Sequence, residues 1–77
     1  MKINLSYSKF IKIEGYASDS VVEVDDKCTV RGLLTFLKQP SYVQKSLVVH
    51  VNEEPVWNAT VLKENDSVKL YRLVSGG

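Results

Sequence analysis

Val68-Lys69-Leu70-Tyr71-Arg72-Leu73-Val74 is the last regular segment of the chain, and Ser75-Gly76-Gly77 follows it. Alternation puts Val68, Leu70, Arg72 and Val74 on one face and Lys69, Tyr71 and Leu73 on the other, so apolar residues stand on both. A strand that is apolar on both faces belongs in the middle of a sheet rather than at its margin. The chain is therefore expected to finish at the centre of its own sheet and to run from there into a Gly-Gly end. Glycine has no Cβ, so such an end is expected to be flexible and thin enough to enter a narrow channel. Its carboxylate, with an ordinary pKa of about 3.5, is ionised and nucleophilic at neutral pH. The competing reading is a frayed or trimmed end, because chain termini are usually poorly ordered.

The same patterning extends upstream. Ile3, Leu5 and Tyr7 alternate with Asn4, Ser6 and Ser8 as a half-buried strand, and Phe10, Ile11 and Ile13 continue apolar. Glu14-Gly15 and Ser18-Asp19-Ser20 supply turn chemistry before Val21-Val22-Glu23-Val24, a second strand. The two form a hairpin with a loop longer than a two-residue turn. Thr29 is a plausible N-cap, and Val30, Leu33, Leu34 and Leu37 behind it make one helical stripe that Pro40 is expected to end. Gly32 within that helix costs about 1 kcal/mol relative to alanine, a cost that a close approach to the sheet would offset.

Pro40 to Ser46 reads as a polar connection. Leu47, Val49 and Val51 then mark a third strand, Asn52-Glu53-Glu54-Pro55 a turn, Val56-Trp57 a short edge strand or extended segment and Lys63-Glu64-Asn65-Asp66 another turn. The order is strand, strand, helix, strand, short strand, strand, and the one helix must cover one sheet face to bury its stripe. That is an α+β order, the order of a ubiquitin-like β-grasp. It implies a mixed sheet of four to five strands, with first and last strands paired in parallel at its middle. One main helix, at about 29–39, packs on one face. The expected division is a β-grasp domain over 1–72 and a flexible tail over 73–77.

With 77 residues the chain holds one small core, and its composition is that of an ordinary globular protein. A formal net charge of +1, with scattered cations and no basic run, argues against a nucleic-acid reader or an acidic membrane surface as partner. Cys28 is the only cysteine, so neither an internal disulfide nor a cysteine-built metal site is expected. Met1-Lys2 leads directly into alternating sequence and no apolar run approaches the ~20 residues of a membrane span, so the expected compartment is the cytoplasm.

Few side chains suggest chemistry within the domain. His50 sits on a strand with no nucleophile at a motif spacing and reads as surface. Cys28 precedes the helix, where the dipole could lower a thiol pKa; the alternative is an incidental small residue in a loop. Glu53-Glu54 and Asp25-Asp26 read as solvated turn carboxylates, and no phosphate loop or metal constellation appears. Tyr7 shares a face with Ile3 and Leu5 and reads as core. Trp57 is either a core lid or a partner contact. Tyr71 and Leu73 fall on the face that no second helix covers, which suggests a partner surface.

Four segments together resemble the MoaD/ThiS family of sulfur-carrier proteins, and the likeness runs through almost the whole chain. Thr29-Val30-Arg31-Gly32-Leu33-Leu34 is similar to the family's Thr-Val-x-x-Leu-Leu helix start. Val51-Asn52-Glu53-Glu54-Pro55-Val56 is similar to its Val-Asn-x-x-x-Val turn. Leu62-Lys63-Glu64-Asn65-Asp66-Ser67-Val68 is similar to its Leu-x-x-x-Asp-x-Val lead into the last strand. The fourth segment is the Gly76-Gly77 ending.

The resemblance implies that the chain is no enzyme but the substrate of one, and that it binds no cofactor itself. An ATP-dependent adenylating enzyme of the ubiquitin-activating type would activate Gly77, and a persulfide donor would convert it to a thiocarboxylate. A downstream synthase would accept the sulfur, in molybdopterin, thiamine or related biosynthesis. Ser75 and Gly76 would thread into the partner, reaching roughly 17 Å for five extended residues, while Tyr71, Leu73 and Val74 dock the domain outside. Tyr71, Arg72 and Leu73 stand where the molybdopterin branch carries an aromatic-Pro-Pro stretch, and Ser75 stands where the thiamine branch often has a third glycine. The pathway thus stays open. Two other readings stay beside it: a ubiquitin-like modifier joined to lysines through Gly77, and a plain β-grasp interaction module.

Overall fold

The computed structural model describes residues 1–72. Strands β1 (Lys2–Tyr7) and β2 (Ser20–Glu23) are followed by helices α1 (Val30–Phe36) and α2 (Ser41–Gln44). Strands β3 (Leu47–Val51), β4 (Glu54–Pro55) and β5 (Ser67–Arg72) complete the order. The five strands form one mixed sheet in the order β2-β1-β5-β3-β4. The expected α+β β-grasp is what forms: β1 and β5 pair in parallel, Leu5 opposite Val68 and Tyr7 opposite Leu70. The last strand is central, with β3 antiparallel on its other side.

The core lies between one sheet face and α1. Ile3, Leu5, Val22, Val49, Val51, Val68 and Leu70 come from the sheet, and Val30, Leu33, Leu34 and Leu37 from the helical stripe. Ile11, from the long β1–β2 loop, and Leu62 close the ends. Tyr7 packs half-buried against this cluster and its hydroxyl donates to the Tyr16 carbonyl.

The helix is shorter than expected at both ends of 29–39, for local reasons. Thr29 is extended and caps, its hydroxyl oxygen accepting from Gly32 N at 3.0 Å. At the other end Lys38 takes a left-handed φ of 60°. Its N–H donates to the Thr35 carbonyl at 2.9 Å, and that of Gln39 to the Leu34 carbonyl at 3.0 Å, the paired bonds of a Schellman closure. The helix has therefore stopped before Pro40, which instead opens α2 within what reads as a polar connection. The edge strand is Glu54–Pro55 rather than Val56-Trp57. Between β3 and β4, Asn52 and Glu53 both take positive φ, 52° and 71°, the pattern of a tight two-residue hairpin turn. Gly32 has a different neighbour from the one expected: a Cβ there would meet Thr29 Oγ1 at 3.3 Å and Cys28 Sγ at 3.4 Å, not the sheet.

Asp66 is the one polar side chain buried in the described core region. Its carboxylate accepts from Asn52 Nδ2 at 3.0 Å and from Lys63 N at 2.8 Å. Asn52 returns the link, its Oδ1 accepting from Ser67 N at 3.0 Å. The pair ties the β3–β4 turn to the start of β5, while the Asp66 carbonyl accepts from Asn4 N of β1. Removing the carboxylate strands two donors beside buried backbone. Asp66→Ala is expected to cost about 1–3 kcal/mol, read as a lower midpoint in urea unfolding with an unchanged slope.

Candidate functional site

Arg72, the last described residue, stands at the end of the central strand β5. Of the residues expected to carry function, Leu73, Val74, Ser75, Gly76 and Gly77 lie outside the described residues. Tyr71 lies within them. It stands on the open face, 42% exposed, between the buried Leu70 and the exposed Arg72.

The sheet register builds a patch around Tyr71. Val48 of β3 lies directly opposite it, and His50 lies opposite Lys69. The His50 and Tyr71 rings meet edge to face with centroids 5.2 Å apart. Side chains at i and i+2 share a sheet face, so Val48, His50, Lys69 and Tyr71 form one half-exposed surface toward the end of β5. His50 is on the surface, as its strand position indicates, but its place beside Tyr71 could not be read from either strand alone. It follows from the antiparallel register, which sets Val48 against Tyr71.

Trp57 is 85% exposed, which removes the core-lid reading. It stands beside the short β4 edge, against a shallow groove lined by Val48, Pro55 and Val56. Among the described residues no group of three histidine, cysteine or acidic side chains is placed to hold a metal ion. No helix among them is long and apolar enough to cross a membrane.

Cys28 does not behave as a helix-activated thiol. Burial pushes its pKa above the ordinary 9.0, and the Asp25 carboxylate adds to the effect by disfavouring a second negative charge. Its Sγ makes only a weak contact, 3.4 Å, to the Thr29 carbonyl. A raised pKa leaves less thiolate at every pH below it, so at pH 7 Cys28 is expected to react with iodoacetamide more slowly than a free cysteine. Equal or faster labelling, followed by mass spectrometry, would contradict this.

Three of the four segments quoted above lie within the described residues and meet in pairs. Thr29 caps α1 and forms an antiparallel bridge with Val61. Leu62, beside that bridge, is buried and donates its N–H to the Cys28 carbonyl. Asn52 and Asp66 hydrogen-bond to each other. These residues tie the start of α1 and the β3–β4 turn to the segment that leads into β5.

Comparison with known proteins agrees. No curated protein sequence matches the chain. A putative molybdopterin converting factor, subunit 1, from Pyrococcus furiosus has a similar structure, with a TM-score of 0.72 at 20% identity over 95% of this chain and 98% of that one. The crystal structure of SAMP1 from Haloferax volcanii gives 0.72 at 20% identity over 100% of both chains. A crystal structure of the H. volcanii small archaeal modifier protein 1 gives 0.70 at 17% over 95% and 98%. At these identities the likeness carries the fold. The family follows from the sequence: the model of the ThiS family matches residues 7–77, from the last residue of β1 onward, and the chain belongs to that family.

Proposed function

We propose that this protein is a sulfur carrier whose working group is the carboxylate of Gly77. The observation that carries the reading is the ThiS family match, which runs through Gly76 and Gly77. The central position of β5 is consistent with it, because the domain can dock on a partner while the residues after Arg72 enter the partner's site.

In an adenylating enzyme of the ubiquitin-activating type, a Gly77 carboxylate oxygen attacks the α-phosphorus of ATP and pyrophosphate leaves. The terminal sulfur of a persulfide then attacks the acyl carbon and AMP leaves. Reductive cleavage of the resulting S–S bond by a thiol frees the thiocarboxylate, which a synthase consumes in making molybdopterin, thiamine or a related sulfur metabolite. The chain supplies the acyl group; the enzyme supplies the activation.

The test is co-expression with the cognate adenylating enzyme and persulfide donor, followed by intact mass. The expected product is about 16 Da heavier and reacts with a thiol alkylator. Because oxidation adds the same mass, it must map to Gly77 and not to Met1 or Cys28. A Gly77 that is never modified would sink the reading. High-mass conjugates that depend on Gly77 would move it to the modifier class, the name one of the similar folds bears.

A further inference from the structure

The helix-side face of the sheet does not end flush. Past Leu47 and Arg72, the β1–β2 loop, the end of α1 and α2 enclose a groove of about 880 Å³. Phe10, Phe36 and Tyr42 stand around it, and all three are among the most exposed large apolar side chains of the domain. Exposed aromatics scattered singly need no explanation, but three around one groove mark a contact surface.

The charge at this groove is lopsided. Among the described residues, Lys12, Lys38 and Arg72 line it against the single carboxylate of Glu14, in a chain whose whole formal charge is +1. Lys38 adds a second observation. It occupies the left-handed position that closes α1, where glycine is the favoured residue, so a cation is held at the groove's lip at a conformational cost.

We infer that this groove docks an acidic segment of a partner protein, with an aromatic or leucine side chain seated among Phe10, Phe36 and Tyr42 and carboxylates against Lys12, Lys38 and Arg72. Apolar walls suit a peptide better than a phosphate backbone, which calls for a denser basic surface. Alternation along β5 sets Arg72 and Tyr71 on opposite faces, so this groove and the Tyr71 patch can be engaged at the same time. The inference does not depend on the chemistry proposed for Gly77, since it is argued from Phe10, Lys12, Phe36, Lys38, Tyr42 and Arg72 alone.

The test is titration of the ¹⁵N-labelled full chain, at low salt, with a synthetic peptide in which a Leu-Phe pair is flanked by Asp and Glu. One control replaces Asp and Glu by Asn and Gln; the other replaces Leu and Phe by Ala. Amide shifts are expected at Phe10, Lys12, Phe36, Lys38 and Arg72, with both controls binding at least tenfold more weakly. The K12Q/K38G double variant is expected to lose about tenfold in affinity while melting no lower than the parent, because glycine relieves the left-handed strain. Salt near 0.5 M should weaken binding similarly. Absence of shifts at millimolar peptide, equal binding of the neutral peptide, or shifts confined to the Tyr71 face would each overturn the inference. So would concentration-dependent self-association through the same residues, seen by sedimentation, which would make a second copy the occupant.

Discussion

Deleting Gly76-Gly77 is expected to abolish adenylation-dependent formation of the thiocarboxylate while leaving the melting temperature of the domain unchanged. The two halves of that expectation rest on different links. The buried core runs from Ile3 to Leu70, so the cut removes none of its residues. The chemistry depends on where the terminal carboxylate lies. Losing two extended residues withdraws it by about 7 Å, and a displacement of only about 1 Å from a reacting centre can cost a hundredfold. The shortened chain should still bind the adenylating enzyme through its folded surface yet give no acyl-adenylate above background, measured as ATP–pyrophosphate exchange. Gly77→Ala keeps the length and adds one methyl at the attacking end, so it separates reach from fit: a channel built for glycine should reject it in part. Full exchange activity in the deletion variant would remove Gly77 from the mechanism, because adenylation would then not need its carboxylate.

Much of this architecture is legible in residue order because it depends on periodicity. Alternation on both faces of Val68 to Arg72 places that strand centrally, and the stripe of Val30, Leu33, Leu34 and Leu37 gives a helix to cover one side. What escapes a reading of the sequence depends on single backbone states or on register. Nothing in Leu37-Lys38-Gln39 announces a left-handed lysine, so the helix reads on to Pro40. The four residues of α2 are too few to show an apolar stripe. Trp57 reads as a core lid or a partner contact because an aromatic ring gains from burial and a hairpin edge can use one, and only the fold shows that its ring stays out. The meeting of His50 with Tyr71 requires knowing which residue of β3 faces which of β5. The Gly76-Gly77 end suggests a thin, flexible terminus by itself, but two glycines cannot exclude a frayed end, and the weight on Gly77 comes from family likeness.

The second large effect separates two neighbours on one strand. Leu70 is fully buried, opposite Tyr7 on one side and Val49 on the other, at the centre of the sheet. Leu70→Ala removes contacts on both flanks and leaves a cavity that two hydrogen-bonded strands cannot close. It is expected to cost about 3 kcal/mol or more. For a domain of this size that is a large part of the total stability and lowers the melting temperature by roughly 15 °C. Tyr71→Ala, one residue along, opens no cavity. It gives up only the cross-strand contacts to Val48 and His50, worth up to about 1 kcal/mol, but removes the largest ring from the surface at the base of the tail. Its expected signature is a nearly parental melt with weaker binding to the adenylating enzyme, read as a higher KM in pyrophosphate exchange at unchanged kcat. If the two variants lose stability equally, the open face is structural and the docking surface must be sought elsewhere. If Tyr71→Ala changes neither quantity, the partner holds the domain by another face, and the groove at Lys38 becomes the first place to look.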